Sequence, residues 1–266
     1  MPSYKPVTAA LRVLNVLAAV NRLGSQATVG EIHRRIGIDK ATIVRMLETL
    51  AYAGYLIRDP DHTVYRVTGK ALSLTTGFDR HTVVGTIIAP LMAEFRQHIE
   101  WPSDVALFDL DAMLVIKSSR QGELLSFNRS PGFRAPVLGT SLGLAYMAHC
   151  PAAEREAFLK RIANDPSPWS KLLQDPVRLD KRLGEVREQG CATMDENYSR
   201  VEYDGRVGSI GVPIMTEKKL FASINVIYLK GFLTPQAARD TLLAPLQEVA
   251  RKMARELEKK DTGTLL

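Results

Sequence analysis

Cysteine, tryptophan, histidine clusters and long apolar runs are what this 266-residue chain has least of. Cys150 and Cys191 show no Cys-x-x-Cys spacing and are too few for a zinc site or a disulfide framework. Such usage reads as a reduced, cytosolic compartment. No stretch approaches the ~18 consecutive apolar residues of a membrane helix. The opening Met1-Pro2-Ser3-Tyr4-Lys5-Pro6 lacks the apolar core and small-residue cleavage site of a secretory signal. The histidines, His33, His62, His81, His98 and His149, are scattered, which argues against a metal centre. Ser-x-x-Lys and His-Glu-x-x-His do not occur. The string Gly139-Thr140-Ser141-Leu142-Gly143 is expected to lack the strand–Ser–helix elbow of a hydrolase, and Gly205 and Gly208 are too few for a phosphate loop. Neither catalysis nor a cofactor is therefore expected.

What is present is a folded chain: 45% apolar and 24% charged residues exclude wholesale disorder. The length suits two domains of ordinary size. The net charge of +6 is unevenly placed. Nearly all of the excess lies in the first 81 residues, and the remainder is close to neutral. A basic module joined to a neutral body suggests that one part meets a polyanion.

The periodicity predicts three helices in that basic part. Val7–Asn21 carries Leu11, Val13, Leu14, Val16, Leu17 and Val20 as a broad apolar stripe. Thr28 is placed to cap a second helix, with Glu31 as its capping-box partner. Gly37-Ile38 makes a tight turn, and Asp39 can cap a third helix. That helix buries Ile43, Met46, Leu47 and Leu50 and ends at Gly54 as a C′ residue. Tyr55–Arg58 and Val64–Val67, around Asp59-Pro60-Asp61-His62, read as a hairpin. His33 belongs to the inner face, and His62 to the hairpin tip.

Burying that apolar set points Lys40, Thr42, Arg45 and Thr49 outward. Long cations and hydroxyls on a helix that follows a tight turn fit a DNA major groove. A lone amphipathic helix would be read as solvated. Here two capped helices precede a hairpin bearing Arg58 and Arg66, and the constellation as a whole argues for double-stranded DNA.

The rest is predicted as an α+β domain. A connector helix spans Lys70–Asp79, followed by Thr82–Glu100, which Pro90 should kink or restart. Strands are expected at Asp104–Asp109, Met113–Ser118, Leu124–Phe127, Ser209–Ile214 and Phe221–Tyr228. Helices are expected at Ser141–His149, Ala152–Ala163, Val177–Glu188 and Pro235–Lys259. Thr82–Glu100 and Pro235–Lys259 could pack side by side on the sheet. The domain boundaries are 1–69, 70–81 and 82–266.

Thr28-Val29-Gly30-Glu31-Ile32, Ile36 through Leu50 and Gly54-Tyr55-Leu56 resemble the winged helix–turn–helix of IclR-type bacterial transcriptional regulators. Gly132-Phe133-Arg134-Ala135-Pro136, Thr140 through Ala145, Ser209 through Ile214 and Ala222 through Val226 resemble stretches of that family's second domain. Trp101 through Val105 and Asp109 through Met113 look most like activators of 3-hydroxyphenylpropionate and related aromatic-acid catabolism. The resemblance implies a GAF-like effector domain that binds a small organic acid, dimerisation through the N-terminal module and pairing of effector domains into a tetramer. A single module reads few base pairs, so a pseudo-palindromic operator is expected.

For the effector, a carboxylate suits the helix N-terminus at Thr140 and Ser141, and Arg134 could add a charge-assisted bond. Alternatively, Thr140 is only a cap and Arg134 only surface. By position in the family, Asp195, Ser209 and Asn225 should line the pocket. Ser209 stands where cysteine is common, and Asn225-Val226-Ile227 replaces a Ser-x-Ser. The apolar replacement favours a ligand with an aromatic body, walled by Trp101, Phe108, Phe127 and Met147 unless these are simply core. The expectation is an activator switched by an aromatic carboxylate. The rivals are a ligand-released repressor and an enzyme with a winged-helix appendage.

Overall fold

Helix α1 (Thr8–Leu23) buries Val16, Ala19 and Val20 but leaves Leu11 and Leu14 50% and 60% exposed. The expected stripe is thus only half used, because the small core it joins covers the helix's C-terminal turns. In the computed structural model, which describes residues 5–59, 62–75, 80–119 and 131–260, the chain forms two compact units that part between residues 79 and 80.

In the first unit, the Thr28 hydroxyl accepts from the Glu31 N–H at 3.2 Å and starts α2 (Val29–Ile36). The Glu31 carboxylate pairs with Arg34, so this is only half of the expected capping box. Gly37 ends α2 with φ of 66°, a left-handed conformation cheap only for glycine. His33 Nδ1 donates to the Ile38 carbonyl at 2.7 Å and so spans the turn from its half-buried position. Asp39 accepts from the Thr42 N–H at 3.1 Å, opening α3 (Lys40–Tyr52). A cap of this kind contributes ~1 kcal/mol. Gly54, at φ 77°, closes α3 in a Schellman pattern: its N–H bonds Ala51 O and the Tyr55 N–H bonds Leu50 O, each at 2.9 Å.

Strands β1 (Leu56–Arg58) and β2 (Tyr65–Val67) pair antiparallel, Ile57 opposite Arg66. Tyr65 N–H also donates to Ala27 O at 3.0 Å, fastening the wing to the segment before α2. Residues 60–61 of the expected turn lie outside the described residues. The predicted α-helical connector is instead a 3₁₀ helix, Gly69–Thr75, with 76–79 outside the described residues. The Ser73 and Thr75 hydroxyls donate to the carbonyls three residues back, Lys70 O and Leu72 O. Such local bonds compete with α-helical geometry.

The second unit opens with α4 (Arg80–His98), one uninterrupted helix that Pro90 does not restart. Six antiparallel strands follow in the order β5-β4-β3-β8-β7-β6. They are β3 (Ser103–Asp109), β4 (Ala112–Ser118), β5 (Arg134–Pro136), β6 (Ala192–Thr193), β7 (Val207–Met215) and β8 (Leu220–Leu229). The expected strand at Leu124–Phe127 lies outside the described residues. Alternation sends Val105, Ile210, Val212, Ile224 and Val226 to one face, against Ile88 and Phe95 of α4 and Leu246 and Met253 of α9 (Pro235–Lys260). Helices α4 and α9 do pack side by side there. The opposite face packs Ala106, Met113 and Val115 against α5 (Ser141–Met147), α6 (Ala152–Arg161) and α7 (Pro176–Gln189). A short α8 (Glu196–Tyr203) precedes β7.

Candidate functional site

The third helix of the first unit carries the first candidate surface. Ile43, Met46, Leu47 and Leu50 are buried, and Lys40, Arg45 and Thr49 are exposed as the spacing predicts. Thr42 is half-buried beside the Asp39 cap, and the Thr49 hydroxyl donates to Arg45 O at 2.7 Å. Thr28 is likewise half-buried as the cap of α2. Arg58 is exposed on the wing. Arg66 is exposed too, yet donates to Asp59 at 2.9 Å, and His62 Nδ1 lies 3.2 Å from the same carboxylate. The wing's cationic end is therefore partly neutralised, a feature the count of arginines concealed. Sequence reasoning also passed over Tyr52, which is 96% exposed on the same helix. Its position opposite the apolar set was the available signal.

The second candidate is assembled under α5. Thr140 accepts from the Gly143 N–H at 3.2 Å and donates to Pro136 O at 2.8 Å, so its hydroxyl caps the helix. Ser141 Oγ and Ser209 Oγ lie 2.7 Å apart, both buried. A hydroxyl partner in place of a base leaves Ser141 without the activation a nucleophile needs. This close seat depends on Gly211, where a Cβ would fall 2.6 Å from Ser141 O. Gly143 makes the same allowance, its hypothetical Cβ lying 2.1 Å from Val137 O.

Asn225 sits across from Gly211 on β7 and Asp104 on β3. Its Oδ1 accepts from the Asp104 N–H at 3.0 Å, while Nδ2 is buried without a partner among the described residues. Asp195 caps α8 by accepting from the N–H groups of Asn197 at 2.8 Å and Tyr198 at 3.2 Å.

A cavity of about 510 Å³ opens beside these groups. Asp195 and Ser209 line it together with Leu144, Thr193, Met194 and Tyr228. Arg178, Lys181 and Arg182 of α7, with Lys230 after β8, make its margin cationic, against Glu185 and Glu196. Arg182 donates to Thr193 Oγ1 at 2.6 Å, and Lys230 to Glu196 at 2.8 Å. Burial, with lesser help from Glu196, pushes the Tyr228 hydroxyl up to about 12, so it stays a neutral donor.

Several expected residues stand elsewhere. Arg134 is on edge strand β5 and is held by Asp109 and Asp111, with a further bond to Asp109 O at 2.9 Å. Two carboxylates already satisfy its guanidinium, and it does not line the cavity. Thr140, Ser141 and Asn225 do not line it, and Ser141 reaches the lining through its bond to Ser209. The described members of the expected aromatic wall pack on the core and do not line the cavity. Trp101 meets Tyr228 edge-on at 6.5 Å on the α9 face, and Phe108 stacks on Tyr146 at 5.1 Å beside buried Met147. Phe127 lies outside the described residues.

Comparison with known proteins gives a consistent result. Residues 9–60 match the IclR helix-turn-helix domain, and residues 79–255 match the bacterial transcriptional regulator IclR C-terminal domain. The Pca regulon regulatory protein of Pseudomonas putida is 26% identical over 253 residues, 94% of this chain and 84% of its own. The HTH-type transcriptional regulator XynR of Escherichia coli is 24% identical over 85% of this chain and 86% of its own. Among solved structures, Thermotoga maritima IclR superposes with a TM-score of 0.64 at 17% identity, covering 94% of this chain and 98% of that one. An IclR homologue from Microbacterium hydrocarbonoxydans, solved with 4-hydroxybenzoate, gives 0.63 at 20% identity, covering 94% and 99%.

Proposed function

The chain belongs to the IclR family of DNA-binding bacterial transcriptional regulators, and from that premise we propose that it activates an aromatic-acid catabolic operon when a small aromatic carboxylate occupies its C-terminal domain. The observation that carries the ligand class is the cavity beside Ser209. Cationic side chains of α7 stand at its margin, apolar Leu144 and Met194 line it, and Ser209, Thr193 and Tyr228 offer hydroxyls. Such a lining suits a carboxylate on an apolar ring. The 4-hydroxybenzoate held by the Microbacterium homologue motivates the same class of probe here.

Asp195 and Ser209 are the residues assigned to direct contact. Ser141 and Asn225 shape the floor behind Ser209, and Thr140 holds α5 in place. On DNA, Lys40 and Arg45 read the groove, while Thr28, Thr42, Thr49, Arg58 and Arg66 serve backbone contacts. Two or more copies on a pseudo-palindromic operator supply the specificity one module lacks. The ligand acts by linkage: it binds one arrangement of the effector domains better and shifts how the DNA modules are presented.

Thermal-shift screening with hydroxylated benzoates, cinnamates and phenylpropionates should find a stabilising ligand, since binding stabilises by mass action. That ligand should raise reporter expression in a strain deleted for this chain and complemented with it. Ser209→Leu should abolish the ligand response and leave operator affinity intact. An unchanged response removes Ser209 from the site, and a reporter that is already high in the deletion strain and falls when the chain is restored without ligand reverses the sign, to a repressor that the ligand releases.

A further inference from the structure

The middle of the exposed arc of α3 holds an acidic side chain. Successive helical residues turn by about 100°, and Ile43, Met46, Leu47 and Leu50 define the buried side. The opposite side centres on Ala41, Arg45, Glu48 and Tyr52, all exposed. Lys40, Thr42 and Thr49 fall on the flanks. Ala41, Val44, Arg45 and Glu48 stand at i, i+3, i+4 and i+7, the spacing by which a recognition helix sets four side chains against base edges.

A carboxylate is costly there, because a major groove is walled by phosphates. Among the described residues, no hydrogen bond or ion pair engages the Glu48 carboxylate, and Arg45 one turn away does not pair with it. A groove-facing carboxylate is offset only where a base edge presents a donor, above all the N4 amine of cytosine. The acidic group thus lowers affinity for most sequences and keeps it for a few.

We propose that Glu48 is a specificity-determining residue of the DNA-reading face: it accepts from a cytosine amine at one base step of each half-site and repels duplexes that present an acceptor there. This rests on the chain binding DNA through α3. Ala41 and Val44 supply apolar contact, which suits a thymine methyl, and Arg45 supplies the donor fork that suits guanine. Glu48 adds discrimination of the opposite polarity on the same stripe.

The test uses the full chain at one fixed salt concentration. Binding is measured to a duplex of its own promoter region, to every single-base-pair variant of the protected site, and to a scrambled duplex. Glu48→Ala should bind the scrambled duplex severalfold more tightly. It should also lose roughly five- to a hundredfold of discrimination at one step per half-site, the profile elsewhere unchanged. Glu48→Gln should move the preference at that step toward adenine, whose N6 and N7 match an amide. A Glu48→Ala profile that superimposes on the wild type, or that shifts by one common factor at all positions, overturns the proposal. A wild-type chain that discriminates nowhere overturns the DNA reading itself, and the role of Glu48 with it.

Discussion

In the proposed reading of DNA by α3, Arg45 is the central residue, because it alone joins a long cation to the centre of that helix's exposed arc. Arg45→Ala should weaken specific operator binding by ~1–3 kcal/mol and relax the preference at the base it reads. A loss equal on specific and scrambled duplexes would reduce it to a phosphate contact. The two thiols make the opposite case. Cys150 and Cys191 are buried, and burial, aided at Cys150 by Glu154, pushes Cys150 up to about 11 and raises Cys191 as well. Both should therefore remain thiols, slow to alkylate at pH 7–8 in the folded chain and fast after denaturation. Rapid native-state labelling would contradict that. At this scale, type and spacing made Thr28, Asp39 and Thr140 legible as caps, since capping is a local event within a few residues. Arg134 was not legible: its partners Asp109 and Asp111 come from the neighbouring hairpin, and only the β4–β5 pairing brings them together.

At the scale of elements, long periodic segments carried their own signal. α3, α4, α7 and α9 were readable because one apolar stripe repeats over several turns. β5 and β6 span three and two residues, too short for alternation to register. α8 owes its place to Asp195 and to packing, with Tyr198 buried between Trp169 and Tyr203. The apolar stripe of α1 misled at Leu11 and Leu14, where periodicity gave the helix but not what covers it. The seat of α5 on β7 offers a direct check. Gly211→Ala would place a methyl 2.6 Å from Ser141 O, so α5 must shift and the Ser141–Ser209 bond must lengthen. The expected cost is ~1–3 kcal/mol of stability, as for an overpacked core, with a weakened ligand response. Unfolding by denaturant, midpoint and slope together, reads the first effect.

On the scale of the whole molecule, charge and architecture divide the work. Nearly all of the excess positive charge lies in the first 81 residues, which hold the helix–turn–helix and wing. The larger unit is a sheet covered on both faces, with its cavity at the β6–β7 side. Both halves were legible in outline, one from caps and turns and the other from apolar periodicity, with the family resemblance spanning both. The cavity was legible only in part, because its cationic margin comes from α7, remote in sequence from Ser209, and nothing in a linear pattern relates them.

The decisive measurement is the salt dependence of binding by the full chain to its own promoter region and to a scrambled duplex of equal length. A DNA-reading regulator should bind both more weakly as salt rises, log affinity falling linearly with log salt concentration by roughly 0.9 per phosphate contact. At every salt concentration it should prefer the promoter. Equal affinity for the two duplexes, or affinity indifferent to salt, would contradict the reading of α3 as a DNA-reading helix.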